Sequence, residues 1–79
     1  MTVRVAGFAQ ARELLADSAT LELSEPACVA DVWSRLVEKV PAMRELGAVR
    51  FAVGGAIVAP DRRLHDGDEV AVLPPVGGG

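Results

Sequence analysis

The chain ends in three glycines, and this places its terminal carboxylate at the end of a segment without side chains. Residues 74–79 read Pro-Pro-Val-Gly-Gly-Gly. The prolines favour an extended backbone, and three glycines have no side chain with which to pack. A carboxylate becomes an acyl donor only after activation, for example by attack on the α-phosphate of ATP. The segment therefore suits a tail that enters a narrow channel, although a frayed or engineered end is the alternative interpretation.

The other reactive side chains do not form a catalytic group. Cys28 and His65 are the only cysteine and the only histidine, so alone they cannot build a zinc or iron–sulfur site, and no metal site is predicted. A helix N-terminus can activate a thiol, but Cys28 has no acid–base partner near it and is interpreted as a tolerated small residue. His65 and Arg62-Arg63 are interpreted as surface loop residues, with an acidic partner as the alternative for the arginines. The lack of a catalytic group favours a carrier over an enzyme.

Composition limits the class of protein. The chain has 79 residues, of which 51% are hydrophobic and 24% charged, which is typical of one small globular domain. Its 8 basic and 11 acidic residues give a net charge of −3, which argues against electrostatic binding of nucleic acid. No apolar run approaches the roughly 18–20 residues that cross a bilayer. A single cysteine excludes an internal disulfide and fits a reducing, cytoplasmic location.

Hydrophobic periodicity predicts the elements that must position the tail. Alternating residues predict five strands, at residues 2–8, 19–24, 49–53, 56–58 and 69–73. Strong helix formers predict a short helix over residues 9–16, and turn residues mark Gly54-Gly55 and Asp66-Gly67. The main helix has its apolar residues at helical spacing and an expected Asp31–Arg35 ion pair on its polar side. Its apolar stripe consists of Val29, Val32, Trp33, Leu36, Val37 and Val40. One amphipathic helix on a mixed sheet is an α+β arrangement.

Three segments together resemble the small subunit of molybdopterin synthase, a family of ubiquitin-like β-grasp sulfur carriers. They are Phe-Ala-Gln-Ala-Arg-Glu at residues 8–13, Asp-Gly-Asp-Glu-Val at 66–70 and the Pro-Pro-Val-Gly-Gly-Gly end. The resemblance runs from Val3 to Gly79; a terminal diglycine alone is shared by all ubiquitin-like carriers. Gly77 departs from the family, where a small residue with a side chain is common. The resemblance implies a β-grasp domain over residues 1–73, with a mixed sheet packed on one main helix, and a flexible tail over residues 74–79.

The resemblance also implies a reaction cycle and its partners. An adenylating enzyme would use ATP to activate the Gly79 carboxylate, and a sulfur donor protein would convert it to a thiocarboxylate. The tail would then enter the large catalytic subunit of the synthase, within a heterotetramer, and give its sulfur to cyclic pyranopterin monophosphate. The chain itself would bind no cofactor and would not be an enzyme on its own. Both partners would grip the tail through Pro74, Pro75, Val76, Gly77 and Gly78.

The sequence is also compatible with three other functions. The chain could carry sulfur for thiamine or cysteine biosynthesis, although carriers of those pathways usually lack the Pro-Pro-Val segment. It could be a ubiquitin-like modifier that is joined to lysines. It could also be an interaction module whose tail is inert.

Strand parity predicts a docking surface beside the tail. Val3 and Val5 face the core, so Phe8 falls on the opposite face, and Leu73 does so by the same rule. In the implied β-grasp order, the first and last strands are parallel neighbours, which brings Phe8 and Leu73 together. Ile57 is the expected third member. We expect these three residues to form one exposed apolar cluster that both partners bind.

Overall fold

The computed structural model describes residues 1–15 and 18–75. Within these residues the chain forms five strands and two α-helices, in the order that the sequence predicts. A 3₁₀ helix follows the second α-helix. The elements are β1 (Thr2–Gly7), α1 (Gln10–Leu15), β2 (Ser18–Glu22), α2 (Val29–Lys39), the 3₁₀ helix (Pro41–Leu46), β3 (Arg50–Val53), β4 (Ala56–Val58) and β5 (Glu69–Leu73).

The strands form one mixed sheet in the order β2-β1-β5-β3-β4. The central pair is parallel, with Val5 opposite Val70, whereas the other neighbouring strands are antiparallel. Parallel neighbours need a crossover connection, and here the chain between β1 and β5 includes α2 and both edge strands. This arrangement is the β-grasp, so the predicted fold is confirmed.

The core lies between one face of the sheet and α2. Val3, Val5, Val70 and Val72 have no exposed surface, as their strand parity predicted. The stripe on α2 is buried at four positions, while Trp33 and Val40 are only half-buried. The Trp33 ring contacts Phe51 edge to face, with the ring centroids 5.7 Å apart. Met43, from the 3₁₀ helix, fills the remaining space and is fully buried, which periodicity did not indicate.

Several details differ from the sequence predictions. The second strand covers Ser18–Glu22 rather than residues 19–24, the third begins at Arg50 rather than at residue 49, and the short helix begins at Gln10 rather than at residue 9. The Asp31–Arg35 ion pair is absent: the Asp31 carboxylate accepts a hydrogen bond from the Cys28 backbone N–H at 2.8 Å, and the Arg35 guanidinium lies 3.5 Å from the Glu22 carbonyl oxygen. Capping of the helix by Asp31 is thus favoured over an exposed ion pair, which stabilises a helix by only about 0.2–0.5 kcal/mol. The first strand ends one residue earlier than predicted, at Gly7. The predicted end of the short helix at residues 16–17 lies outside the described residues.

Gly7 ends β1 because α1 packs directly against its backbone. A Cβ atom at this position would lie 2.6 Å from the backbone carbon of Ala11 and 2.7 Å from the backbone nitrogen of Arg12. Only a residue without a side chain permits that approach. The chain then turns sharply through Ala9, whose φ is 52°, into the short helix. This turn fixes where Phe8 lies relative to the sheet.

Candidate functional site

The face of the sheet opposite α2 has an apolar centre made of small residues. Ala6 of β1 lies opposite Ala71 of β5, which lies opposite Ala52 of β3, which in turn lies opposite Ile57 of β4. Three methyl side chains in a row make a flat floor, and Ile57 stands at its edge with 58% of its surface exposed. A continuous apolar strip that crosses four strands is unusual on the solvent face of a small domain and indicates a binding surface.

Phe8 and Leu73 extend this strip toward the end of β5. The Phe8 backbone N–H donates to the Val72 carbonyl oxygen at 3.1 Å, which continues the parallel pairing of β1 with β5. Phe8 is 53% exposed, whereas Leu73 is half-buried. Both side chains line one shallow concavity, and Ile57 lines it as well. The structure therefore brings the three predicted residues together, and their role in binding stays a prediction. We call Phe8, Ile57 and Leu73, with the three alanines between them, the apolar patch.

The patch is continuous with the start of the tail. A second groove, lined by Ala48, Arg50, Pro74 and Pro75, shares Ile57 and Leu73 with the patch. The Pro75 ring also lies beside Gly47, whose φ of 86° is in the left-handed region: a Cβ atom there would be 3.6 Å from the Pro75 Cγ. Val76, Gly77, Gly78 and Gly79 lie outside the described residues, so their predicted role and the extent of the tail remain predictions.

Three arginines and two acids lie around the patch. The Arg4 guanidinium lies 3.6 Å from the Glu69 carboxylate, which neutralises both. Arg50 lies opposite Leu73, at the end where the tail begins. Arg62 also lines the concavity, together with Asp68, the residue that precedes β5. The Asp68 carboxylate accepts a hydrogen bond from the His65 backbone N–H at 2.8 Å and thereby closes the turn before β5.

Cys28 lies at the start of α2, where backbone N–H groups of the first turn, which have no partner within the helix, donate to carbonyl oxygens of the loop before β5. The N–H of Val29 donates to the Arg62 carbonyl oxygen at 3.0 Å, and that of Ala30 to the Pro60 carbonyl oxygen at 2.8 Å. A helix N-terminus binds anions through such N–H groups, and here the loop before β5 occupies them. The thiol is free and half-buried. These contacts agree with a structural role for Cys28.

His65 lies on the surface beside its own turn. Its imidazole Nδ1 is 3.8 Å from the Asp68 carboxylate, and its side chain is 78% exposed. This exposed geometry fits a surface loop residue. Within the described part of the chain, no group of three or more His, Cys, Asp or Glu residues could hold a metal ion. In the same residues, no helix is long and apolar enough to span a membrane.

Sequence reasoning did not identify two features of this site. The alanine floor was not predicted, because a single alanine in a strand carries no signal until the register aligns three of them. The separation of Arg62 from Arg63 was also missed: Arg62 lines the concavity beside the patch, whereas Arg63 lines a groove with Cys28 and Asp61. Alternation in an irregular loop does not follow a fixed period, so no sequence pattern would have separated them.

A β-grasp domain whose apolar sheet face adjoins the start of its C-terminal segment belongs to the ubiquitin-like class. Within that class, the ThiS family matches residues 5–79, and the chain belongs to this family. Two curated relatives carry the name molybdopterin synthase sulfur carrier subunit. The one from Chlamydomonas reinhardtii is 34% identical over all of both chains, and the one from Escherichia coli is 37% identical over 98% of this chain and 99% of its own.

Solved structures with the same fold fall into two groups. A putative molybdopterin converting factor subunit 1 from Pyrococcus furiosus is 35% identical, with a TM-score of 0.85 over 96% of this chain and 99% of its own. A chain in the complex of subunits 1 and 2 of the Helicobacter pylori molybdopterin-converting factor is 25% identical, with a TM-score of 0.72 over all of both chains. The small archaeal modifier protein 1 of Methanosarcina acetivorans is 28% identical, with a TM-score of 0.81 over 99% of this chain and 96% of its own.

Proposed function

We propose that this protein is the sulfur carrier subunit of a molybdopterin synthase and that its Gly79 carboxylate carries the sulfur. The observation that carries the proposal is the apolar patch, which adjoins the start of the tail on the sheet face opposite α2. The two curated relatives, both similar over almost their whole length, support the same function by their names. The carrier has no catalytic role of its own in this proposal.

The chemistry takes place at one carbon atom. The Gly79 carboxylate attacks the α-phosphate of ATP on the adenylating enzyme, pyrophosphate leaves, and an acyl adenylate forms. The terminal sulfur of a donor persulfide then attacks the acyl carbon and displaces AMP. A thiol cleaves the resulting acyl disulfide, and the carrier retains a thiocarboxylate. ATP is a substrate of the adenylating enzyme, and the carrier needs no bound cofactor.

The large catalytic subunit of the synthase receives the charged tail. It binds the apolar patch and takes in residues 74–79, so that the thiocarboxylate sulfur reaches cyclic pyranopterin monophosphate. Because the glycines have no side chains, the partner grips them through backbone N–H and C=O groups. The complex of the two Helicobacter pylori subunits supports a partner of this kind. The cytoplasm is the location that we propose for this cycle.

A sulfur-release experiment tests this function. The thiocarboxylated carrier is mixed with the large subunit and cyclic pyranopterin monophosphate, and its intact mass is followed while the product is measured. We expect the carrier to return to its mass without sulfur as dithiolene forms. When the carrier holds selenium in place of sulfur, the amount of selenium in the product should equal the amount that the carrier loses. Sulfur that stays on the carrier in the presence of both partners would contradict the proposal.

The second candidate is a ubiquitin-like modifier, and the likeness to the Methanosarcina acetivorans modifier protein favours it. The activated Gly79 carbonyl would then form an amide with a lysine instead of receiving sulfur. A proteolytic digest of total cell protein separates the two candidates. Glycine remnants of this tail on lysines of other proteins, lost when the carrier gene is deleted, would support the modifier.

A further inference from the structure

We propose that Arg50 and Arg62 bind carboxylates of the synthase large subunit, one at each end of the apolar patch. This inference rests on the proposed function, because it names the chemistry of the surface that the patch meets. The partner surface therefore has an apolar centre with an acidic group on each side of it. Arg50 and Arg62 determine which protein fits the patch, and the apolar residues between them hold it.

The two arginines lie at opposite ends of the patch. Arg50 pairs with Leu73 in the register of β3 and β5, next to the start of the tail. Arg62 lines the concavity together with Gly54, which follows the other end of β3, and with Asp68, which precedes β5. Four residues of extended strand separate Arg50 from Gly54, which is about 13 Å along the sheet. A partner that covers the patch must therefore pass over or beside both guanidinium groups.

Both guanidinium groups lack a partner among the residues that the structure describes. Arg4, on the same face, forms an ion pair with Glu69 at 3.6 Å. Among residues 1–15 and 18–75, neither the Arg50 nor the Arg62 side chain has an ion pair or a hydrogen bond. Among the described residues that line the patch and its adjoining groove, Arg50 and Arg62 are therefore the cations available to a partner, although the chain as a whole has a net charge of −3.

The backbone holds both arginines in place before any partner arrives. Arg50 belongs to β3, which is paired on both sides, with β5 and with β4. Arg62 donates its backbone N–H to the Ala59 carbonyl oxygen at 3.0 Å, and its own carbonyl oxygen accepts from the Val29 N–H at 3.0 Å. Only the side chains must be ordered on binding, which lowers the entropic cost of each contact.

The physical effect expected from such charges is on association and specificity. Charges at the rim of an apolar contact steer the encounter, raise the association rate and penalise surfaces of the wrong sign. Their effect falls with salt, because the Debye length shortens from about 30 Å at 0.01 M to about 10 Å at 0.1 M. A positive rim on an acidic carrier therefore favours a partner with carboxylates opposite Arg50 and Arg62.

Charge reversal with a matched control tests the inference. Arg63 is adjacent to Arg62, equally cationic and exposed, but lines the groove with Cys28 and Asp61 on another side of the domain. The variants Arg50→Glu, Arg62→Glu and Arg63→Glu have the same net charge, so they differ only in where the charge lies. Binding of each to the purified large subunit is measured by surface plasmon resonance at about 50 and 500 mM NaCl. Phe8→Ala serves as the control for the patch itself, and thermal melts confirm folding.

We expect Arg50→Glu and Arg62→Glu each to weaken binding by about tenfold at low salt, chiefly through slower association, and Arg63→Glu by less than about twofold. At high salt the differences should shrink. Equal effects of all three reversals, or an effect at only one end of the patch, would overturn the inference. If Phe8→Ala weakens binding while both reversals behave like Arg63→Glu, the inference fails and the proposed function stands. If the unmodified carrier does not bind the large subunit, both fail.

Discussion

At the scale of single residues, the reactive group of the proposed cycle is the carboxylate of Gly79. In the proposed cycle the tail has to reach each partner active site from the apolar patch, so the number of residues in the tail matters. Deleting Gly79, or adding one residue after it, should abolish thiocarboxylate formation. The thermal melting temperature should stay unchanged, because β5 ends at Leu73 and the core lies within the sheet and α2. Intact mass after incubation with the adenylating enzyme, ATP and a sulfur source measures the first effect. An extended chain that stays unprocessed and still accepts sulfur would contradict the assignment of Gly79.

Cys28 provides a second test at this scale. Its thiol has no assigned step, and the backbone donors of the adjoining helix start are held by the loop before β5. We therefore expect Cys28→Ser to fold and to accept sulfur at the wild-type rate. The measurement is the rate of thiocarboxylate formation, with circular dichroism as the folding control. A variant that keeps its fold and loses sulfur acceptance would assign Cys28 to a persulfide relay instead.

The sequence alone located Phe8 and Leu73 on the solvent face because both stand at the ends of predicted strands with clear alternation. Because side chains alternate along a strand, each residue is assigned to one of two faces, and the valines identify the face that packs in the core. The sequence did not establish that Leu73 is only half exposed, since the exposure of Leu73 depends on the neighbouring Pro74 and on the groove beside it. Nor did it separate Arg62 from Arg63, because an irregular loop has no period.

At the scale of elements, the contact of α1 with Gly7 positions Phe8. A Cβ atom on residue 7 would meet backbone atoms of Ala11 and Arg12 at 2.6–2.7 Å, and backbone atoms cannot rotate away. Gly7→Ala should therefore lower the free energy of unfolding by about 1–3 kcal/mol, measured by urea denaturation. The same variant should weaken partner binding, since α1 and the turn at Ala9 must shift.

Gly54→Ala is the matched control for that substitution. Gly54 has a φ of 61°, and a Cβ atom there would meet nothing within 4 Å. Gly54→Ala should lower the free energy of unfolding only by the cost of placing alanine in the left-handed region, about 1 kcal/mol. A loss at Gly7 no larger than at Gly54 would show that the close packing of α1 is not what requires a glycine at residue 7.

The element order was predictable, whereas the ends of several elements and the burial of Met43 were less so. Strands with alternating valines and the stripe on α2 are strong local signals. The predicted end of β1 was wrong by one residue because a tertiary contact determines it: α1 packs against Gly7, and the strand ends there. Met43 entered the core for the same reason, since a short 3₁₀ segment has too few residues to show a period.

At the scale of the whole molecule, the proposed cycle uses one face of the carrier for two enzymes in turn. The patch is contiguous with the tail, so a protein that holds the tail also covers the patch, and the large subunit and the adenylating enzyme should compete. Phe8→Ala and Leu73→Ala should each weaken binding to either partner by about 1–2 kcal/mol, measured by calorimetry. Glu38→Ala, on the exposed side of α2, is the control and should leave both affinities unchanged. Unchanged affinity of both patch variants for both partners, with folding intact, would remove the patch from the mechanism.

In the proposed cycle the sulfur is carried at the C-terminus of this chain, where intact mass spectrometry can locate it. The purified protein is incubated with its adenylating enzyme, ATP and a sulfur source, and its intact mass is determined before fragmentation. We expect a gain of about 16 Da, the exchange of one oxygen for sulfur, located by the fragments at Gly79. No gain in mass, or a gain located at Cys28, would contradict the proposed cycle.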